Sequence, residues 1–157
     1  MAEGPIGLRP RLIEGGVHRD QRGEVRHINA FTFDHVDRCY VVRPARTGEV
    51  RGWVGHRRDW KFFLALEGEF RIGVVIPTDW TAPARDLRPD VFRLVAECPA
   101  ILEVPPGCYA ASVAVRPSSA LMIFSSGGIH EAASDDFRLP PDYWPLELAA
   151  EGPGTAP

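Results

Sequence analysis

The run Lys61-Phe62-Phe63-Leu64-Ala65-Leu66-Glu67-Gly68-Glu69-Phe70-Arg71-Ile72-Gly73-Val74 decides the fold class. It reads as two strands joined by a tight turn at Gly68. Outward from it, further short runs rich in β-branched and aromatic residues recur at 39–42, 91–95, 100–104, 111–115 and 121–124. Turn signals separate them, among them Pro44, Gly48, Pro77, Pro89, Pro105-Pro106-Gly107 and Pro117. Seven or more short strands at intervals of about 10 residues predict an all-β sandwich or barrel. The pattern fits a jelly roll, two facing antiparallel sheets with a hollow end that holds a small ligand. An immunoglobulin-like sandwich would show a Cys…Trp…Cys core, and none stands out. Helix candidates lie only after Ser134 and are brief.

Composition narrows the classes. The 157 residues predict one domain, with an N-terminal arm at 1–15, the jelly roll at 16–148 and a flexible Gly/Pro/Ala-rich tail at 149–157. Hydrophobic residues at 45% and charged residues at 25% exclude disorder along the whole length. No apolar run is long enough for a transmembrane helix, and residues 1–10 lack the apolar centre of a signal peptide, so the expected compartment is the cytoplasm. A net charge of −3 predicts no bulk attraction to nucleic acid or to a membrane. Cys39, Cys98 and Cys108 are odd in number and widely spaced, which argues against a disulfide framework. The five histidines, at 18, 27, 35, 56 and 130, share no His-x-His or His-x-x-x-His spacing. The expectation is a metal-free protein without a cofactor.

The densest polar cluster is Arg51-Gly52-Trp53-Val54-Gly55-His56-Arg57-Arg58-Asp59-Trp60-Lys61. Strand alternation over it puts Arg51, Trp53 and Gly55 on one face and Gly52, Val54 and His56 on the other. Residues 57–59 read as a solvated loop. Lys61 is the one lysine among 18 basic residues. It opens an apolar strand, where an inward-facing ammonium is costly unless it meets an anion. Three arginines, a histidine and a lysine in so short a stretch would suit a phosphorylated ligand.

Asp20-Gln21-Arg22-Gly23 resembles the Asp-x-Arg-Gly element of nucleotide-sugar-modifying cupins, the dTDP-4-keto-6-deoxyhexose 3,5-epimerases and dTDP-sugar 3,4-ketoisomerases. The block from Arg38-Cys39-Tyr40-Val41-Val42 through Gly48-Glu49-Val50-Arg51-Gly52-Trp53-Val54-Gly55-His56 is similar to the ketoisomerase core, which ends in Arg-Gly-x-His-x-His. Lys61 matches the lysine that opens the next strand in the epimerases. Pro105-Pro106-Gly107-Cys108-Tyr109 resembles the late turn that lines the sugar pocket. The resemblance spans residues 17–145. It implies a cupin jelly roll, a dTDP-linked sugar as ligand, and a homodimer in which the strand around residues 22–31 crosses to the partner. Three positions depart from the pattern. Val54 stands where the base histidine is implied, Ala110 where the late turn has a histidine, and Phe124 near the position of the tyrosine acid.

Moving a proton next to a carbonyl needs a base, a cation or donor for the enolate oxygen, and an acid that returns the proton. His56 is the candidate base and Lys61 the candidate enolate holder, with Tyr109, Tyr40 or water returning the proton. Arg22 and Arg51 are candidates for the diphosphate, and Tyr40 for the substrate pocket. Two functions follow. One is an isomerase or epimerase of a nucleotide-linked 4-keto-6-deoxysugar rebuilt around His56 and Lys61. The other is a non-catalytic or repurposed cupin that binds a sugar nucleotide or another anionic small molecule.

Overall fold

The computed structural model describes residues 8–148. In chain order the strands are β1 (Arg11–Glu14), β2 (Gly16–Asp20), β3 (Gly23–His27), β4 (Arg38–Val42), β5 (Val50–His56) and β6 (Lys61–Glu67). Then come β7 (Glu69–Val75), β8 (Asp90–Val95), β9 (Ala100–Val104), β10 (Cys108–Ala114), β11 (Ala120–Ser125), the one-turn helix α1 (Ile129–Ala132), a 3-10 turn (Ala133–Asp135) and β12 (Phe137–Arg138). Two five-stranded antiparallel sheets result, ordered β1-β9-β6-β11-β4 and β12-β5-β10-β7-β8, with β2 and β3 as a separate hairpin. All seven apolar runs are strands. No helix among the described residues is long and apolar enough to cross a membrane.

Three expectations need correction. The strands on either side of Gly68 do not form a hairpin: β6 pairs with β9 and β11, whereas β7 pairs with β8 and β10. Gly68 is the corner at which the chain passes from one sheet to the other. Its φ of +72° and the 2.1 Å that would separate a Cβ from Ser119 Oγ make glycine the fitting residue there. The expected arm is in part sheet, because Arg11–Glu14 pairs along β9. The helical turns begin at Ile129, ahead of Ser134. The tail at 149–157 and residues 1–7 of the arm lie outside the described residues.

Three apolar clusters explain why the strands read as nearly continuous apolar runs. Between the sheets lie Phe63, Phe70, Ile72, Leu102 and Leu121. On the outer face of the first sheet, Phe62, Ile101 and Phe124 pack under Ile28 and Phe31. On the outer face of the second, Trp53, Tyr109 and Val113 pack against Trp144 and Leu146. Strands apolar on both faces lose the alternation of a one-sided sheet. Trp53 and Trp144 are fully buried in edge-to-face contact at 5.3 Å, and Trp53 Nε1 donates to the Trp144 carbonyl. Burying an aromatic of this size contributes about 3 kcal/mol, so the chain after β12 is part of the core.

Candidate active site

At one end of the sandwich the sheets part around a cavity of about 850 Å³. Arg38, Tyr40 and Lys61 line it from the first sheet, Arg51, Val54 and His56 from the second. The segment from Glu131 to Asp136 forms its rim.

A bulge in β5 decides which residues face the cavity. Ala110 of β10 is opposite Val54 and Ser112 is opposite Arg51. One residue of β10, Ala111, therefore faces two of β5, Gly52 and Trp53, and the extra residue reverses the alternation. Gly52 has φ +128°, and a Cβ there would lie 2.8 Å from the Ala110 carbonyl oxygen. Arg51 thus joins Val54 on the cavity side while Trp53 turns into the outer core, which corrects the expectation that Arg51 and Trp53 share a face. The Arg51 side chain makes no hydrogen bond or ion pair among the described residues and is exposed. It is a guanidinium free to meet an anion.

Lys61 does face inward and does meet an anion, but the anion belongs to the chain. Its Nζ lies 2.8 Å from Asp59 Oδ2, both residues being buried, and donates to Ser125 Oγ at 3.0 Å. Ser125 Oγ donates onward to Asp59 Oδ2 at 2.7 Å, while Oδ1 accepts from Ser126 Oγ and from the Gly127 N–H. Residues 57–59 are therefore no simple solvated loop. Burial by itself would raise the Asp59 pKa, but the Lys61 ammonium and the serine hydroxyls outweigh it and hold the carboxyl at about 2. Lys61 Nζ also stands 5.8 Å from the Tyr40 ring centre, with the Arg38 guanidinium 5.2 Å from the same ring.

His56 donates its Nδ1–H to the Asp135 carbonyl at 2.5 Å. A carbonyl only accepts, so the proton belongs on Nδ1 and the lone pair on Nε2. Burial lowers the imidazole pKa, and the nearby Lys61 charge lowers it further. Both effects favour the uncharged form of the ring.

The other expected site residues separate. Tyr109 is 2% exposed, stacked on Trp80 at 4.7 Å, and packed on the outer face of the second sheet. Burial raises its phenol pKa. As an odd-numbered residue of β10 it points away from the cavity that Ala110 and Ser112 face, so its assignment as a proton donor is corrected. Arg22 is exposed at the β2–β3 turn, hydrogen-bonded to Asp20, and does not line the cavity. Phe124 also points outward. Its neighbour Ile123 faces the cavity, and the residue beside Ile123 in register is Tyr40. Ser125 and Asp135 carry no signal in the sequence, because each acts through partners 64 to 79 positions away, and Asp59, read there as part of a loop, owes its role to burial beside Lys61.

Two buried carboxylates set an acid limit on stability. Glu69 is held at about 2 by hydrogen bonds from Arg93 and Arg71 against its burial, and Asp59 is held at about 2 as described. Both pKa values fall below the ordinary 4.5 and 3.8, so the stabilisation is complete above those values and is lost as pH falls toward 2. Circular-dichroism melting should show Tm falling steeply between about pH 4 and 2. A Tm that stays level across that window would contradict both ion-pair assignments.

No protein-family model matches the chain, and no curated relative does. Solved structures do. A 3,4-ketoisomerase from Thermoanaerobacterium thermosaccharolyticum, a mutant in complex with TDP-4-keto-6-deoxyglucose, is 18% identical with a TM-score of 0.65, over 85% of this chain and 90% of that one. A 3'-monoepimerase from Streptomyces bikiniensis in complex with dTDP-quinovose is 20% identical at TM-score 0.67, covering 90% and 79%. An epimerase from Mycobacterium tuberculosis is 18% identical at TM-score 0.68, covering 90% and 76%. This chain shares with those sugar-nucleotide ketoisomerases and epimerases the cupin jelly-roll fold.

Proposed function

We propose that the protein is an isomerase or epimerase of a nucleotide-linked 4-keto-6-deoxysugar, most simply a dTDP-sugar, working without metal or cofactor. The observation that carries this reading is an imidazole whose Nδ1 meets the Asp135 carbonyl, leaving the lone pair on Nε2, in the same cavity as a buried ammonium. His56 Nε2 takes the proton from the carbon next to the keto group, and Lys61 holds the enolate oxygen that forms. Tyr40, on the sheet opposite His56, returns a proton, the role that Tyr109 is turned away from. Arg51 meets the diphosphate. The ligands of the structurally similar enzymes support the substrate class.

The test is solvent deuterium wash-in to dTDP-4-keto-6-deoxyglucose, followed by NMR. Incorporation next to the keto carbon supports the reading, and tight binding without incorporation leaves the binder. Val54, inert in the cavity where the resemblance implies a base, is the observation that favours that second reading. On the isomerase reading His56 must be neutral to act, and its pKa is lowered. Activity should therefore persist below pH 6.5 and fall only as pH drops through the lowered value. A profile whose acidic limb lies above pH 6.5 would point to another base.

Charge-assisted contacts contribute about 1.5 to 3 kcal/mol each, so Arg51→Ala should weaken binding about tenfold or more by calorimetry. An unchanged affinity would remove Arg51 from the ligand site. Arg22 fits the same role only across a homodimer, in which the β2–β3 hairpin reaches a second copy. An apolar groove of about 340 Å³ on the outer face of the first sheet, with Phe33 exposed along it, supports that assembly. Light scattering should give twice the chain mass, and Arg22→Ala should then weaken binding as Arg51→Ala does.

A further inference from the structure

We propose that Asp135 is the positioning residue of the site, holding His56 in its base tautomer and, with the same residue, setting the loop that delivers Asp59 to Lys61. Two separate parts of Asp135 act. Its main-chain carbonyl accepts the His56 Nδ1–H. Its carboxylate, in a residue only 5% exposed, accepts three successive backbone N–H groups: Arg57 at 2.7 Å, Arg58 at 3.0 Å and Asp59 at 2.9 Å. Successive amides turned to one point form a concavity that suits an anion, and here the anion is a side chain. The chain between His56 and Lys61 is thereby pinned at every residue from 57 to 59. Asp59 Oδ2 then lies 2.8 Å from Lys61 Nζ.

The consequence is a coupling between base and cation. If the carboxylate lets go, the 3-10 turn moves relative to β5, so the carbonyl no longer meets Nδ1. In the same event the loop loses the amides that aim Asp59. A neutral imidazole released from such a partner favours the proton on Nε2, the nitrogen that must be bare to act as base. The charged groups facing His56 are Lys61 from β6, Asp59 from the loop and Asp135 from the 3-10 turn, and Cys108 is its register partner on β10. None of them other than Asp135 hydrogen-bonds the ring. The catalytic part of this inference rests on the isomerase reading, whereas the tautomer part does not.

Nitrogen-15 NMR of the histidine rings in the unliganded full chain is the test. In the wild type above pH 7, His56 should show one tautomer, protonated on Nδ1, with that proton slow to exchange. Asp135→Asn keeps the size but offers an NH2 to amides that need an acceptor, and Asp135→Ala removes the acceptor altogether. Both should give a mixture with the Nε2-protonated form, and the wash-in rate should fall about 10²-fold, the scale of a misplaced catalytic group. Ser134→Ala, which removes only the contacts to Arg58 and to the Glu131 carbonyl, should keep the wild-type tautomer. A wild-type tautomer in folded Asp135→Asn and Asp135→Ala overturns the proposal. Should those variants fail to fold, a wild-type His56 without a protected Nδ1 proton overturns it equally. If the tautomer shifts as expected but the wild type washes in no deuterium, the positioning role stands and the isomerase reading falls.

Discussion

His56→Asn is expected to lower the wash-in rate by about 10²-fold or more, the scale of a lost general base, with little change in the fold. The reason for the intact fold is local. The side-chain amide of the replacement can still donate to the Asp135 carbonyl that now accepts from Nδ1, so no buried acceptor is orphaned. What disappears is the Nε2 lone pair, which an amide cannot supply. Parallel melting curves and single-turnover rates separate the two effects. A rate close to wild type in a folded His56→Asn protein would take His56 out of the chemistry and leave Val54 as the mark of a retired site.

Lys61→Met should cost both rate and stability. The cost in stability comes from the buried pair with Asp59. Removing one partner of such a pair strands the other charge, a loss of about 3 kcal/mol at the lower end of the usual range. The lower end applies because Asp59 keeps its bonds from Ser126 and Gly127. For a chain of this size that is a fall in Tm of about 10 °C. The rate should drop by about 10²-fold as well, since the ammonium that holds the enolate oxygen is gone. Combining Lys61→Met with Asp59→Leu should recover part of the Tm but none of the rate, because the stranded charge is removed while the cation stays missing. A Tm unchanged by Lys61→Met would contradict the buried pair. Recovery of rate in the double variant would contradict the role of Lys61.

What could be read from the sequence is what local periodicity and turn chemistry determine. The seven apolar runs became strands because aromatic and β-branched residues bounded by Gly and Pro have little else to form. Lys61 faces inward because it lies on the same alternating face of β6 as Phe63, and two-residue alternation holds wherever no extra residue intervenes. His56 and Lys61 share a site because both close on one short loop. The rest was decided by pairing across the fold. The extra residue at Gly52-Trp53 shifts Arg51 to the cavity, and only the register with β10 reveals it. Gly68 turns a corner between sheets instead of a hairpin, because β6 pairs with β9 and β11 and β7 with β8 and β10, all of them later in the chain. Tyr109 turns outward because Trp80 and Trp144, distant in sequence, build an apolar cover on that face. Asp59 and Asp135 gained their roles from burial, which gives a carboxylate next to an ammonium or a row of amides a strength it lacks in water. Burial of that kind comes from tertiary packing, and no spacing along the chain encodes it.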